Sequence, residues 1–227
     1  ATLRRQRQMC IRDSSSPVLA DRWMYPFNAT PGDRITGSLF GIYGSTDFDE
    51  RDAQIYLTFD LSAAGIPEGT PVSQIQCNAL TLTIDVVGIN SIPYDPTVDS
   101  HESFVDPSLD LDPGRPVTLW AAAGRAGYTG CDFPEDGPFS LGPPASDSRS
   151  VFCQGMDLNT LEFVDVSNSV RDGILAEPLA VGQIDGLDPG QPILPYDRMT
   201  FSVDTKSPAA RELLFGDGDF CGTLGFC

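Results

Sequence analysis

Apolar and polar residues alternate most clearly from Ala53 to Leu61. Ala53, Ile55, Leu57, Phe59 and Leu61 share one face of an extended chain, and Gln54, Tyr56, Thr58 and Asp60 share the other. A period of two predicts a β-strand with its apolar face in a core and its polar face toward solvent. The segment AGIPEGTPVS then supplies Gly and Pro for a turn. Ile75, Cys77 and Ala79 alternate next, and the apolar parity then shifts to Leu80, Leu82, Ile84 and Val86. A β-bulge at Ala79/Leu80 accounts for such a shift, because one extra residue returns the apolar side chains to the core.

Further strands are expected at Val117 to Trp120, Val151 to Cys153, Leu161 to Val166, and Met199 to Val203. Two short helices are expected as well. Ser167 can cap one turn carrying Val170 and Ile174, and Ser207-Pro208 forms an N-cap and first-turn pair whose helix ends at Gly216. Residues 90–116 read as a long acidic loop, and 131–149 as a second irregular stretch rich in Pro. Many short strands with turn signals between them define the fold class as all-β, an antiparallel β-sandwich of jelly-roll type with long acidic loops.

Residues 4–14, RRQRQMCIRDS, stand apart from everything that follows. They have no apolar period, and they resemble the translated read-through of a sequencing adaptor. Residues 1–20 are accordingly set aside as an artefactual or disordered segment, and 21–227 are read as a single domain. Phe220 to Cys227 resembles an unfinished strand, so the domain is expected to be truncated at its C-terminus.

The 227 residues carry 14 cationic and 32 acidic side chains, for a formal charge of −18. Without residues 1–15, ten cationic face thirty-one acidic residues and the charge is −21. Phosphate recognition needs clustered Lys and Arg, so nucleic acid and anionic membrane surfaces are poor partners. No stretch approaches the ~20 apolar residues of a membrane span. The expected partner is a polysaccharide or another cell-surface component.

Six cysteines without a CxxC pair, together with a single His, point to disulfides rather than zinc. Cys131 and Cys153 bracket the Pro-rich stretch, and joining them would close a loop whose entropy is worth roughly 3 kcal/mol. Cys77 could meet Cys221 or Cys227 across the sandwich. His101 lies in DSHES, no GxSxG elbow exists, and no catalytic triad is expected. The carboxylates are too many for any pair to stand out as a glycosidase dyad.

Two candidate sites remain. Acidic loops suit a structural Ca²⁺, which takes six to eight oxygens, and Asp47, Asp49, Asp52, Asp106, Asp110 and Asp112 are the candidate ligands. Trp23, Tyr25, Tyr43, Tyr94 and Tyr128 fall in edge or loop-like segments and are the candidate platform for stacking on sugar rings.

Two segments carry a family resemblance. IYLTFDLSAAGIPEGTPVSQIQCNALTLTIDV (55–86) and FVDVSNSVRDGI (163–174) resemble the DNRLRE-type domains of secreted bacterial proteins. Thr58 stands where that family usually has Arg, and the Trp of its second motif is absent. DRWMYPFNATPGDR (21–34) and FDERDAQ (48–54) are similar to segments of uncharacterised secreted bacterial proteins with sorting signals. The resemblance implies a jelly-roll-like sandwich on an exported or surface protein and implies no reaction. The expected function is a non-catalytic extracellular module with a structural, adhesive or carbohydrate-binding role. The alternative is a fragment of a secreted polysaccharide-degrading enzyme, either a glycoside hydrolase or a lyase.

Overall fold

A computed structural model describes residues 18–25, 53–62, 64–87, 92–110, 112, 114–140, 149–216 and 221–227. Among them lie twelve strands and three short helices. The first half holds β1 (Val18–Met24), β2 (Gln54–Asp60), β3 (Leu80–Asp85), β4 (Ile92–Pro93), α1 (His101–Val105), β5 (Thr118–Leu119) and β6 (Ala121–Gly124). The second half holds β7 (Val151–Met156), β8 (Phe163–Asp165), α2 (Ser169–Asp172), β9 (Ala180–Val181), β10 (Pro192–Ile193), β11 (Arg198–Val203), α3 (Pro208–Phe215) and β12 (Thr223–Phe226).

The all-β antiparallel class is borne out. One sheet has six strands in the order β1-β2-β12-β6-β7-β8, and every neighbouring pair is antiparallel. β3 pairs with β11 and β5 with β9. An antiparallel bridge between Gln183 and Thr200, with N–H···O distances of 2.9 and 2.8 Å, joins these pairs into a second layer. The chain passes between layers at Trp120, because β5 belongs to the second layer and β6 to the first. β4 and β10 form a separate two-residue ladder.

The main core lies between the layers. Leu57 and Phe59 of β2 and Leu224 and Phe226 of β12 meet Leu80, Leu82 and Ile84 of β3 and Met199, Phe201 and Val203 of β11. The register places Leu224 opposite Phe59 and Phe226 opposite Leu57, so all four side chains share one face. α3 closes this core with Ala210, Leu214 and Phe215. It is built as its sequence predicts. The Ser207 hydroxyl caps the Ala210 N–H, Pro208 occupies the first turn, and Gly216 ends the helix at φ 70°.

Three expectations are corrected. The first concerns β2, whose supposedly solvent-facing side is its more buried one. Tyr56 is 0% exposed and Thr58 is also buried. A third layer made by residues 125–140 covers Tyr56. Phe133 packs edge-on to Tyr56 at 5.5 Å, and the Tyr56 hydroxyl donates to the Gly130 carbonyl at 3.1 Å. Alternation records the chemistry of each face but not what covers it, and Tyr tolerates cover once its hydroxyl is bonded.

The second correction concerns the parity shift at Ala79/Leu80. It is not a bulge: Val72–Gln74 is a 3₁₀ turn, 75–79 has no ladder, and β3 begins at Leu80 opposite Val203. The parity changes there because a strand starts there. The third concerns the N-terminal limit of the domain. β1 begins at Val18, inside the stretch 1–20 set aside by sequence, and pairs with β2 through Met24.

The disulfide pairing also differs from expectation. Cys131 is joined to Cys221 and Cys153 to Cys227, with Cα–Cα distances of 6.3 and 5.2 Å, so Cys131 and Cys153 are not joined to each other. β12 lies in the middle of the large sheet and has one cysteine at each end. Cys221 meets the covering layer through Cys131, and Cys227 meets β7 through Cys153. Cys77 is a free thiol, and half-burial raises its pKa. Cys10 lies outside the described residues.

Candidate functional site

The acidic stretch 92–116 is not an open loop where it is described. It contains β4, α1 and a 3₁₀ turn at Pro107–Leu109. α1 begins with a reciprocal cap: the Ser103 N–H donates to the Ser100 hydroxyl oxygen at 3.2 Å, and the Ser100 N–H to the Ser103 oxygen at 3.1 Å. Glu102 follows in the first turn. Its own backbone N–H, and after it the Ser100 hydroxyl, hold its carboxyl below the usual range. α2 ends at Gly173, with φ 70°, and a Cβ there would lie 3.6 Å from the His101 ring, so α1 packs across the end of α2.

Between these two helices, β5 and β9 lies a groove of about 980 Å³. Trp120, Pro116, Ile174 and Pro178 make its apolar wall. The Trp120 indole N–H donates to the Thr118 hydroxyl at 2.9 Å, and the ring lies flush on Gly155, where a Cβ would stand 2.8 Å from a ring carbon. The polar rim includes Asp99, Glu102, Arg115, Asn159, Asn168 and Glu177.

Asp99 is the most constrained of these groups. Its side chain is 7% exposed, and the Arg115 guanidinium reaches it at 3.0 Å while also holding Asp110 at 2.6 Å. Burial pushes the Asp99 pKa up and Arg115 pulls it down, while the charges of Asp110 and Asp95 add to the upward push, so the net direction is up. The groove thus holds two carboxyls of opposite tendency, Asp99 raised and Glu102 lowered. Together with the guanidinium and two amides they can bind hydroxyl groups, while the apolar wall suits the carbon face of a ring.

Of the five aromatic residues expected to form a platform, the four that are described do not share one surface. Tyr94 is 3% exposed and belongs to the main core, where its hydroxyl accepts from the Ile184 N–H at 3.0 Å. Tyr128 packs edge-on to Phe133 at 5.1 Å. Trp23 and Tyr25 stack on each other at 4.9 Å along the edge strand β1. Tyr43 lies outside the described residues, as do Asp47, Asp49 and Asp52 of the cation set.

The remaining cation candidates are also separated. Asp106 closes its own turn, with its Oδ1 accepting from the Ser108 N–H and hydroxyl. Asp110 is taken by Arg115, and Asp112 meets the Thr97 hydroxyl at 3.0 Å. Among the described residues, no group of three His, Cys, Asp or Glu side chains is gathered to hold a metal ion.

Sequence reasoning did not select Trp120, Asp99, Arg115 or Glu177 as site residues. Trp120 looked like the end of a strand, and the charged residues looked like ordinary loop polarity. The available signal was the helix-start pattern Ser100-x-x-Ser103, which would have divided the acidic stretch into structured pieces. No helix among the described residues is long and apolar enough to cross a membrane. Set against family models, curated proteins and solved structures, the chain matches none of them.

Proposed function

We propose that this chain is a non-catalytic β-sandwich module of an exported protein and that its groove holds a segment of neutral polysaccharide. The observation that carries the reading is the groove itself, lined by Trp120, Pro116 and Pro178 together with carboxylates, amides and one guanidinium. That combination suits a sugar, which offers a C–H face and a rim of hydroxyls. The charge of −18 disfavours acidic glycans and supports a neutral ligand. Two disulfides support an oxidising compartment, and the resemblance of 55–86 and 163–174 to DNRLRE-type domains supports placement on a secreted or surface protein.

The test is affinity electrophoresis of the oxidised protein through gels containing different soluble polysaccharides, alongside a reducing-end assay. The expected result is retardation by at least one neutral polysaccharide without release of reducing ends, weakened at least tenfold in the variant E177Q/N159A. Absence of retardation by every polysaccharide, or retardation indifferent to that variant, overturns the reading.

A second reading is favoured by one observation. Asp99 and Glu102 have pKa values pushed apart in the same groove, as the acid and base of a glycoside hydrolase require. Turnover that disappears in D99N would replace the first reading with this one.

A further inference from the structure

We infer that the turn at Asp95 binds a hard divalent cation of the Ca²⁺ class, held by the carboxylates of Asp95 and Asp112 and the hydroxyl oxygen of Thr97. Asp95 is 2% exposed, and its Oδ2 is buried with no hydrogen-bond partner. Its other oxygen, Oδ1, accepts from the Thr97 N–H at 2.8 Å and lies 2.8 Å from the Thr97 hydroxyl. That same hydroxyl lies 3.0 Å from Asp112 Oδ2. A hydroxyl has one hydrogen and can satisfy only one of the two carboxylates, so the other contact sets oxygen against oxygen.

The neighbouring cation does not relieve this. Arg115 is engaged by Asp99 and Asp110, and among the described residues neither Asp95 nor Asp112 has an ion pair. A buried carboxylate with one oxygen unbonded is costly unless it is paired.

The backbone brings the donors together. Gly114 approaches so closely that a Cβ there would stand 2.6 Å from the Pro93 carbonyl oxygen and 3.0 Å from Asp95 Cβ, and its φ is 121°. This contact returns the chain to Asp95, and the Thr97 hydroxyl links Asp95 with Asp112, seventeen positions further along the sequence. The set contains only two carboxylates, which is why no group of three acidic side chains is found. Hard cations also accept hydroxyl, carbonyl and water oxygens, so two carboxylates and Thr97 form a partial shell that water completes. The set shares Asp112 with the sequence-derived candidates, leaves out Asp106 and Asp110, and adds Asp95 and Thr97.

The experiment is calorimetric titration of chelator-treated, oxidised protein with CaCl₂, together with thermal unfolding in CaCl₂ and in EDTA. Wild type is expected to bind one Ca²⁺ and to unfold at higher temperature as Ca²⁺ rises. D95N and T97A are expected to lose at least tenfold in affinity, and D106N is expected to bind as wild type does. Both D95N and T97A are mild enough for folding to be checked by unfolding in EDTA. No heat and no shift in wild type up to 10 mM CaCl₂ overturns the inference. So does undiminished binding in D95N and T97A, or loss of binding in D106N. No polysaccharide enters the experiment, so its outcome is independent of the proposed groove ligand.

Discussion

Removing the disulfides should cost most of the stability of this fold, and the cost can be worked from the connectivity. Cys131–Cys221 spans 90 residues and Cys153–Cys227 spans 74. In the chain-entropy model, a loop of either length restricts the unfolded chain by about 4.5 kcal/mol when it is the only bridge. The two loops overlap, however. Once one bridge is formed, the shortest covalent path between the other two cysteines runs through it. That path takes residues 131–153 on one side and 221–227 on the other, roughly 30 residues in all, so the second bridge contributes about 3.5 kcal/mol. Either C131S/C221S or C153S/C227S should therefore lose about 3.5 kcal/mol, and the quadruple variant about 8. A loss of 8 kcal/mol is comparable with the whole stability of ordinary domains, about 5–15 kcal/mol, so the quadruple variant should unfold at far lower urea than wild type. The assay is urea unfolding of wild type and the three variants, with peptide mapping under non-reducing conditions to establish the pairs. Two results would refute the reasoning. One is a mapped Cys131–Cys153 peptide. The other is a quadruple variant no less stable than either double variant, which would mean that the bridges constrain nothing in the unfolded chain.

Three further outcomes follow from particular contacts. Burial raises the Asp99 pKa, so the folded state resists its ionisation; stability from this group is full below the unfolded carboxyl pKa and is lost as pH rises through the folded value. Wild type should therefore match D99N near pH 3 and fall behind it as pH rises from about 4 toward 7, measured by chemical unfolding at each pH. G155A would drive a methyl group into the Trp120 ring, which stands 2.8 Å from that position, and should cost about 1–3 kcal/mol while shifting the tryptophan fluorescence. S207A removes the hydroxyl that caps α3 and should cost about 1 kcal/mol in urea unfolding, with no effect on polysaccharide retardation.

The parts of the fold legible in the sequence are those fixed by local rules. The Ser207-Pro208 start and Gly216 end of α3 and the alternation through β2 and β11 needed no knowledge of distant residues. The third layer was not legible, because Phe133 and Phe139 sit among Pro and Gly and show no period, yet they decide that Tyr56 is buried. The groove was illegible for a related reason. Its lining comes from α1, β5, the β8–α2 connection and β9, each contributing a few residues whose meaning depends on their meeting. Carboxylate density correctly marked the loops as chemically unusual but could not rank the carboxylates. That ranking depends on which of them lose water and which find a cation, and Asp95, Asp106 and Asp110 have three different answers within sixteen residues.

The position of β12 connects these failures to the placement of the disulfides. A four-residue strand lies between β2 and β6, and its ladder with β2 joins segments about 160 residues apart. Pairing across such a separation requires most of the loop-closure entropy before the ladder returns anything, and four residues return little. The side chains that reward the pairing, Leu224 and Phe226, do so only once the second layer is also in place to receive them. A bridge at each end of β12 changes the balance, because it restricts the unfolded chain without needing further ladder bonds or apolar area. The same centrality makes the pairing unreadable from spacing. Cys131 and Cys153 are the near neighbours in sequence, but a strand from the far end of the chain passes between their partners, and each cysteine bonds to the end of β12 that the sheet register brings to it.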